Sequence, residues 1–241
     1  MEVTSQLINV RTGSESMPCH IARPATGGPY PALLVVMEAF GLNNHIKSIT
    51  DRFAEEGFVA IAPNLYFRQD NNVVGYGDLP GAFRLMGSIK DDQVVADMGA
   101  CIDYLKALKE VKATFGTTGF CMGGRIAFLT ACRDPRVKAT APFYGGGMVT
   151  SRDPSAKPPI AYVEGLKAPV LAFFGGKDAF IPITEVDAFR DKLKGAGKQA
   201  EIVLYQDADH GFMCDDRPSH HPQHAKEAWA KTIAFFKTHL G

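Results

Sequence analysis

The chain has 241 residues, 46% of them apolar and 22% charged, with 26 Lys and Arg balanced by 26 Asp and Glu. That is ordinary globular composition, long enough for one domain to bury a core without disulfide or metal staples. Zero formal charge with no Lys/Arg block argues against a nucleic-acid partner. The longest apolar runs, at 32–37 and 169–174, fall far short of the roughly 20 residues that cross a bilayer. The first residues carry Glu2 and lack the apolar core of a signal peptide, so a cytoplasmic protein is expected. Five cysteines, Cys19, Cys101, Cys121, Cys132 and Cys214, are odd in number and form no CxxC pair. They read as reduced thiols, one of which is a candidate for chemistry.

In chain order, the alternating VTSQLINV, a turn containing Gly13 and a second short run predict an N-terminal antiparallel hairpin. ALLVVM is a continuous apolar strand of the kind buried on both faces of a parallel sheet. A helix follows over about 44–56, with Ile46, Ile49, Phe53 and Ala54 at helical spacing and Gly57 ending it. The unit then repeats. FVAIAP, ATFGTTGF, VKATAPFYG, APVLAFFGG and AEIVLYQ read as strands. DDQVVADMGACIDYLKAL, GGRIAFLTAC, ITEVDAFRDKLKGAG and AKEAWAKTIAFFKTHL read as helices. Alternating strands and helices imply a doubly wound, mostly parallel sheet, and nothing divides residues 1–241 into more than one domain. Three stretches, 67–89, 145–167 and 208–225, fit no element and are where pocket walls are expected.

TGFCMGGRIAF places Gly119, Cys121 and Gly123 at G-x-C-x-G spacing between a strand and a helix. This is a nucleophile elbow with Cys in place of Ser. The chain must turn sharply there, and a Cβ on either flank would collide with a neighbouring strand or helix. The helix N-terminus favours thiolate over thiol. A small buried Cys in a Gly-rich turn is the alternative. A nucleophile needs a base and the base an orienting acid, in the chain order nucleophile, acid, base. Asp178 follows the strand APVLAFF and His210 follows AEIVLY, each at the carboxyl edge where open α/β sheets build their sites. Asp207 and Asp209 sit on the His loop itself and are weaker candidates for the acid.

With VVMEAFGLN, APNLYFR, GFCMGGR, GGKDAFIP and ADHGF, the chain resembles the dienelactone hydrolase family over nearly its whole length. The resemblance implies an α/β-hydrolase fold and a cysteine-dependent hydrolysis of lactones or small esters through a thioester. It implies that Glu38 holds the resting thiol neutral or takes its proton when substrate binds. It further implies that the backbone amides of Ala39 and Met122 form the oxyanion hole, and that no cofactor or metal is required. The family's lactonases grip a substrate carboxylate with two arginines, one of them four residues after the catalytic His. Here that position is Cys214, and Arg217 and Arg84 are the substitutes on offer.

Phe40, Tyr66, Phe83, Tyr144 and Phe212 are candidates to wall an apolar pocket. Arg68 and Arg125 are further cations, the latter read as a structural ion-pair partner. His220, His221 and His224 with Cys214 resemble a soft metal site but lack defined ligand spacing, so no metal is expected. The expected partner is a small-molecule ester or lactone, with the chain a monomer or small homo-oligomer. A general carboxylesterase and a non-catalytic binding protein of the same fold are the alternatives, the latter marked by a lost triad member; none is lost.

Overall fold

The computed structural model describes residues 1–151 and 156–241. Gly13, at φ +58°, turns the hairpin between β1 (Val3–Thr12) and β2 (Glu15–Pro24), which pair from Val3 opposite Pro24 to Thr12 opposite Glu15. β3 (Tyr30–Val36), β4 (Val59–Pro63), β5 (Val111–Phe120), β6 (Val137–Phe143), β7 (Val170–Gly175) and β8 (Ala200–Tyr205) complete one sheet, in the order β1-β2-β4-β3-β5-β6-β7-β8. The strands from β4 to β8 run parallel, and β2 joins β4 antiparallel. This is the doubly wound, mostly parallel sheet with an N-terminal hairpin expected from the sequence.

The helices are α1 (Asn44–Glu55), α2 (Leu79–Gly87), α3 (Asp91–Lys106), α4 (Met122–Arg133), α5 (Ile183–Gly195) and α6 (Pro222–Leu240). Asn43 caps α1 by accepting from Ile46 N at 3.1 Å, and the helix buries Ile46, Ile49, Phe53 and Ala54 on one face. Adjacent residues of β5 show which helices share a face. A Cβ on Gly116 would meet Leu240 and Phe236 of α6, whereas Thr117 donates to Ala127 O in α4 at 3.1 Å. Successive strand residues point to opposite faces, so α6 and α4 cover opposite sides of the sheet. Phe53 and Trp229, with ring centroids 4.5 Å apart, join α1 to α6, and Phe128 and Phe189 at 4.9 Å join α4 to α5. The apolar core lies between these layers and the sheet.

The stretch 67–89, expected to be irregular, contains α2. Its N-cap Asp78 accepts from Gly81 N at 2.9 Å and Pro80 sits in the first turn, both ordinary helix-start chemistry. The stretch 145–167 holds a short 3-10 helix, Pro159–Gly165, and its part at 152–155 lies outside the described residues. α6 begins three residues before the expected start, with His221 as its cap. No helix among the described residues is long and apolar enough to cross a membrane.

Candidate active site

Four strands deliver four side chains to one edge of the sheet. Glu38 follows β3, Cys121 follows β5, Asp178 follows β7 and His210 follows β8, each beyond the carboxyl end of its strand. Cys121 has φ +56° and ψ −121°, a conformation L-residues avoid, and is the residue from which α4 starts. The flanking glycines permit it. A Cβ on Gly119 would lie 2.3 Å from Gly123 O, and one on Gly123 would lie 2.3 Å from Val36 O. Alone among the five cysteines, Cys121 is not fully buried, and it stands at the N-terminus of α4, the positive end of the helix dipole.

His210 Nδ1 lies 2.7 Å from Asp178 Oδ2. Asp178 is itself held by Phe180 N at 2.8 Å and Ile181 N at 3.1 Å, both donating to Oδ1. With Nδ1 thus engaged, Nε2 is the nitrogen left to meet the sulfur, and His210 and Cys121 line the same cavity. Burial works against the imidazolium, but a charged Cys121 and the hydrogen bonds to Asp178 and Cys121 outweigh it and raise the His210 pKa to about 10. The ring sits between Tyr144 and Phe180, with centroids 5.1 and 5.2 Å away.

Glu38 is fully buried, and its Oε1 accepts from Arg217 Nη1 at 3.5 Å. The guanidinium also lies over the rings of Phe40 and Tyr76, at 5.5 and 5.7 Å. Ala39 and Met122 line the same cavity as Cys121 and His210. The buried Tyr66 hydroxyl lies 3.2 Å from both Ala39 O and Met122 Sδ, tying these two residues together. Burial and then the Cys121 charge push the Tyr66 phenol up, so it stays a neutral hydrogen-bond donor.

The cavity measures about 480 Å³, within the range of small-molecule sites. Its walls are largely apolar, from Phe40, Leu79, Phe83, Met86, Ile89 and Phe180. α2 contributes Leu79 and Phe83, which remain 43% and 49% exposed at the mouth. Of the candidate pocket residues, Phe40, Phe83 and Arg217 line it. Tyr66, Tyr144 and Phe212 do not: all three are fully buried, the latter two packed ring against ring behind His210. Arg84 does not either, because α2 turns its buried face, Ala82 and Leu85, inward and leaves Arg84 in solvent. Arg125 lines the cavity but is locked to Asp91 by two hydrogen bonds of 2.7 and 2.8 Å. Arg68 is away from the site, clamped to Asp97 and Glu15. Lys90, which also lines the cavity, was missed by sequence reasoning; its place just before the expected helix α3 gave no signal.

The histidine cluster divides. His221 and His224 meet Asp207, at 3.5 and 2.6 Å, with no part for Cys214. Asp209 Oδ1 accepts from His210 N at 2.6 Å, so neither neighbouring aspartate competes with Asp178 for the ring. Cys214 instead lies 3.1 Å from the Tyr76 hydroxyl, and burial, followed by the Glu38 charge, pushes its thiol up to about 12.

Residues 17–240 match the dienelactone hydrolase family. A Salmonella typhimurium protein named "Putative carboxymethylenebutenolidase" is 36% identical over 99% of this chain and 89% of its own length. A Synechocystis protein of the same name is 36% identical over 100% of this chain and 99% of its own. The crystal structure named "Putative Dienelactone Hydrolase" from Klebsiella pneumoniae superposes with a TM-score of 0.92 at 38% identity, over 98% of this chain and 99% of that one. The chain therefore belongs to the dienelactone hydrolase family, with its α/β-hydrolase fold and carboxylic ester hydrolase chemistry.

Proposed function

We propose that the chain hydrolyses lactones or small carboxylic esters with Cys121 as nucleophile, His210 as base and Asp178 as the acid that orients it. The observation that carries this reading is the 2.7 Å Asp178–His210 contact on the cavity that Cys121, on its strained elbow, also lines. Cys121 Sγ attacks the carbonyl carbon, and the resulting oxyanion is met by the amides of Ala39 and Met122. Such a donor is worth roughly 3 to 4 kcal/mol in the transition state. The C–O bond then breaks, the leaving alkoxide takes a proton from the His210 imidazolium, and a thioester remains. Water, deprotonated by the now neutral His210, attacks the thioester, the C–S bond breaks, the acid product leaves, and the released Cys121 thiolate takes back its proton from Glu38.

Glu38 gates the thiol in this reading. A buried carboxylate held by Arg217 on one oxygen has its other oxygen without a hydrogen-bond partner among the described residues, available to a proton from Cys121. Limiting the thiolate to the occupied enzyme protects it from oxidation. Substitution of Cys121 by Ala is expected to reduce hydrolysis of an activated acetate ester by about 10³-fold or more. Full activity in that variant would overturn the assignment.

A second reading, a carboxylesterase without lactone preference, is favoured by one feature of the cavity. Both arginines that line it are already engaged, Arg125 by Asp91 and Arg217 by Glu38, while the walls are largely apolar. Rates on dienelactone against a panel of uncharged esters, with Arg217→Ala beside wild type, separate the two. Equal rates on neutral esters that ignore the substitution support the esterase.

A further inference from the structure

Glu38, His45 and Cys214 come together from three separate segments: the loop after β3, the first turn of α1 and the loop after β8. They are 0%, 4% and 0% exposed, and one ligand atom from each lies within 4.8 Å of those of the other two. An acid, an imidazole and a thiol closed off together from water are costly unless every polar atom has a partner. Two of these atoms have none among the described residues, Glu38 Oε2 and His45 Nε2. Their sister atoms are engaged, Glu38 Oε1 by Arg217 and His45 Nδ1 by Asp215 Oδ1 at 3.3 Å. A carboxylate on Nδ1 fixes the tautomer and leaves Nε2 as a lone pair, the arrangement that metal-binding histidines use.

We propose that Glu38, His45 and Cys214 form a binding site for a zinc-type divalent cation, built into the protein behind the hydrolase cavity. Carboxylate oxygen, imidazole nitrogen and thiolate sulfur make a mixed donor set suited to Zn²⁺ or Co²⁺. Ligand bonds of about 2.0–2.3 Å require the three side chains to close by roughly an ångström. On coordination Cys214 gives up its S–H proton to solvent, with no change of oxidation state. The Tyr76 hydroxyl, 3.1 Å from the sulfur, then turns to donate to the thiolate. Asp215 and Asp216, both exposed, form with His45 a second group of ligand atoms within 4.8 Å of one another, an outer step by which a cation reaches the buried one. A cation on Glu38 withholds that carboxylate from Cys121, so Zn²⁺ acts as a reversible inhibitor. That consequence rests on the gating role given to Glu38 above, whereas the cation site does not.

The test is a titration of the full chain with Co²⁺, followed by its sulfur-to-cobalt absorption band, with displacement by Zn²⁺ and ester hydrolysis measured in parallel. One Co²⁺ per chain with that band is expected. The band is lost in Cys214→Ser and in His45→Gln, and Asp215→Asn weakens binding about tenfold. It persists in Cys121→Ala and in Asp207→Asn, which removes the exposed Asp207, His221 and His224 group. Circular dichroism verifies the fold of each variant, and if Cys214→Ser does not fold, His45→Gln decides. No band in the folded wild-type chain, or a band that follows Cys121 in place of Cys214, overturns the site. Equal inhibition by Zn²⁺ of wild type and His45→Gln overturns the link to Glu38. Because the cobalt band is read without turnover, failure of the nucleophile assignment leaves this outcome legible.

Discussion

Burial alone would strip His210 of its proton, yet the charge of Cys121 and the hydrogen bonds to Asp178 and Cys121 carry its pKa up to about 10. In the occupied enzyme, where Cys121 is a thiolate, the raised value keeps His210 protonated until pH rises through about 10. In enzyme holding a non-hydrolysable ester analogue, NMR titration of His210 should show a midpoint that falls in Cys121→Ala, since the thiolate charge is the largest raising influence. An unchanged midpoint contradicts the ion pair. Asp178→Asn should cost on the order of 10³ to 10⁴ in kcat, because the imidazole loses the partner that fixes its tautomer. Tyr66 is a positioning residue that sequence reasoning placed in the pocket wall. Its hydroxyl braces the two residues offered as oxyanion donors, so Tyr66→Phe should lower kcat about five- to tenfold, one hydrogen bond's worth, with KM nearly unchanged. A rise in KM with kcat intact would return Tyr66 to a substrate contact.

At the level of elements, the elbow was legible because its glycines are demanded by backbone, not by side chains. Gly123→Ala puts a Cβ 2.3 Å from Val36 O, which cannot move without dragging β3. Overpacking of this kind costs about 1–3 kcal/mol or more. A melting temperature lowered by several degrees is expected, with activity lost even where the variant folds; wild-type stability and activity would contradict the account. The helix α2 at the cavity mouth escaped the sequence reading because it is short, contains Gly81 and ends at Gly87, which hides its periodicity. Its start was written plainly, in Asp78 and Pro80. With Phe83 half exposed at the mouth, Phe83→Ala should raise KM for long apolar esters while leaving that for acetate esters near wild type. Equal KM values for both would remove α2 from substrate binding.

Across the whole molecule, strand-helix alternation made the parallel core legible, and with it the edge on which Cys121, Asp178 and His210 meet. What alternation does not encode is which distant loops touch. Arg217 reaches Glu38 across 179 positions, and Cys214 reaches Tyr76 across 138. Only the folded sheet brings the loops after β3 and β8 together, so Cys214 read as a missing arginine and His45 as nothing at all. Arg84 failed for the converse reason: its place in the chain was right, but the rotation of α2 about its axis turned it outward. Acyl transfer through the sulfur of Cys121 can be trapped by acid quenching during turnover of a slow ester, followed by mass spectrometry of the digested chain. An acyl group is expected on the peptide carrying Cys121 and absent in Cys121→Ala; an acyl group elsewhere, or none while Cys121→Ala still hydrolyses ester, would rule out Cys121 as the nucleophile.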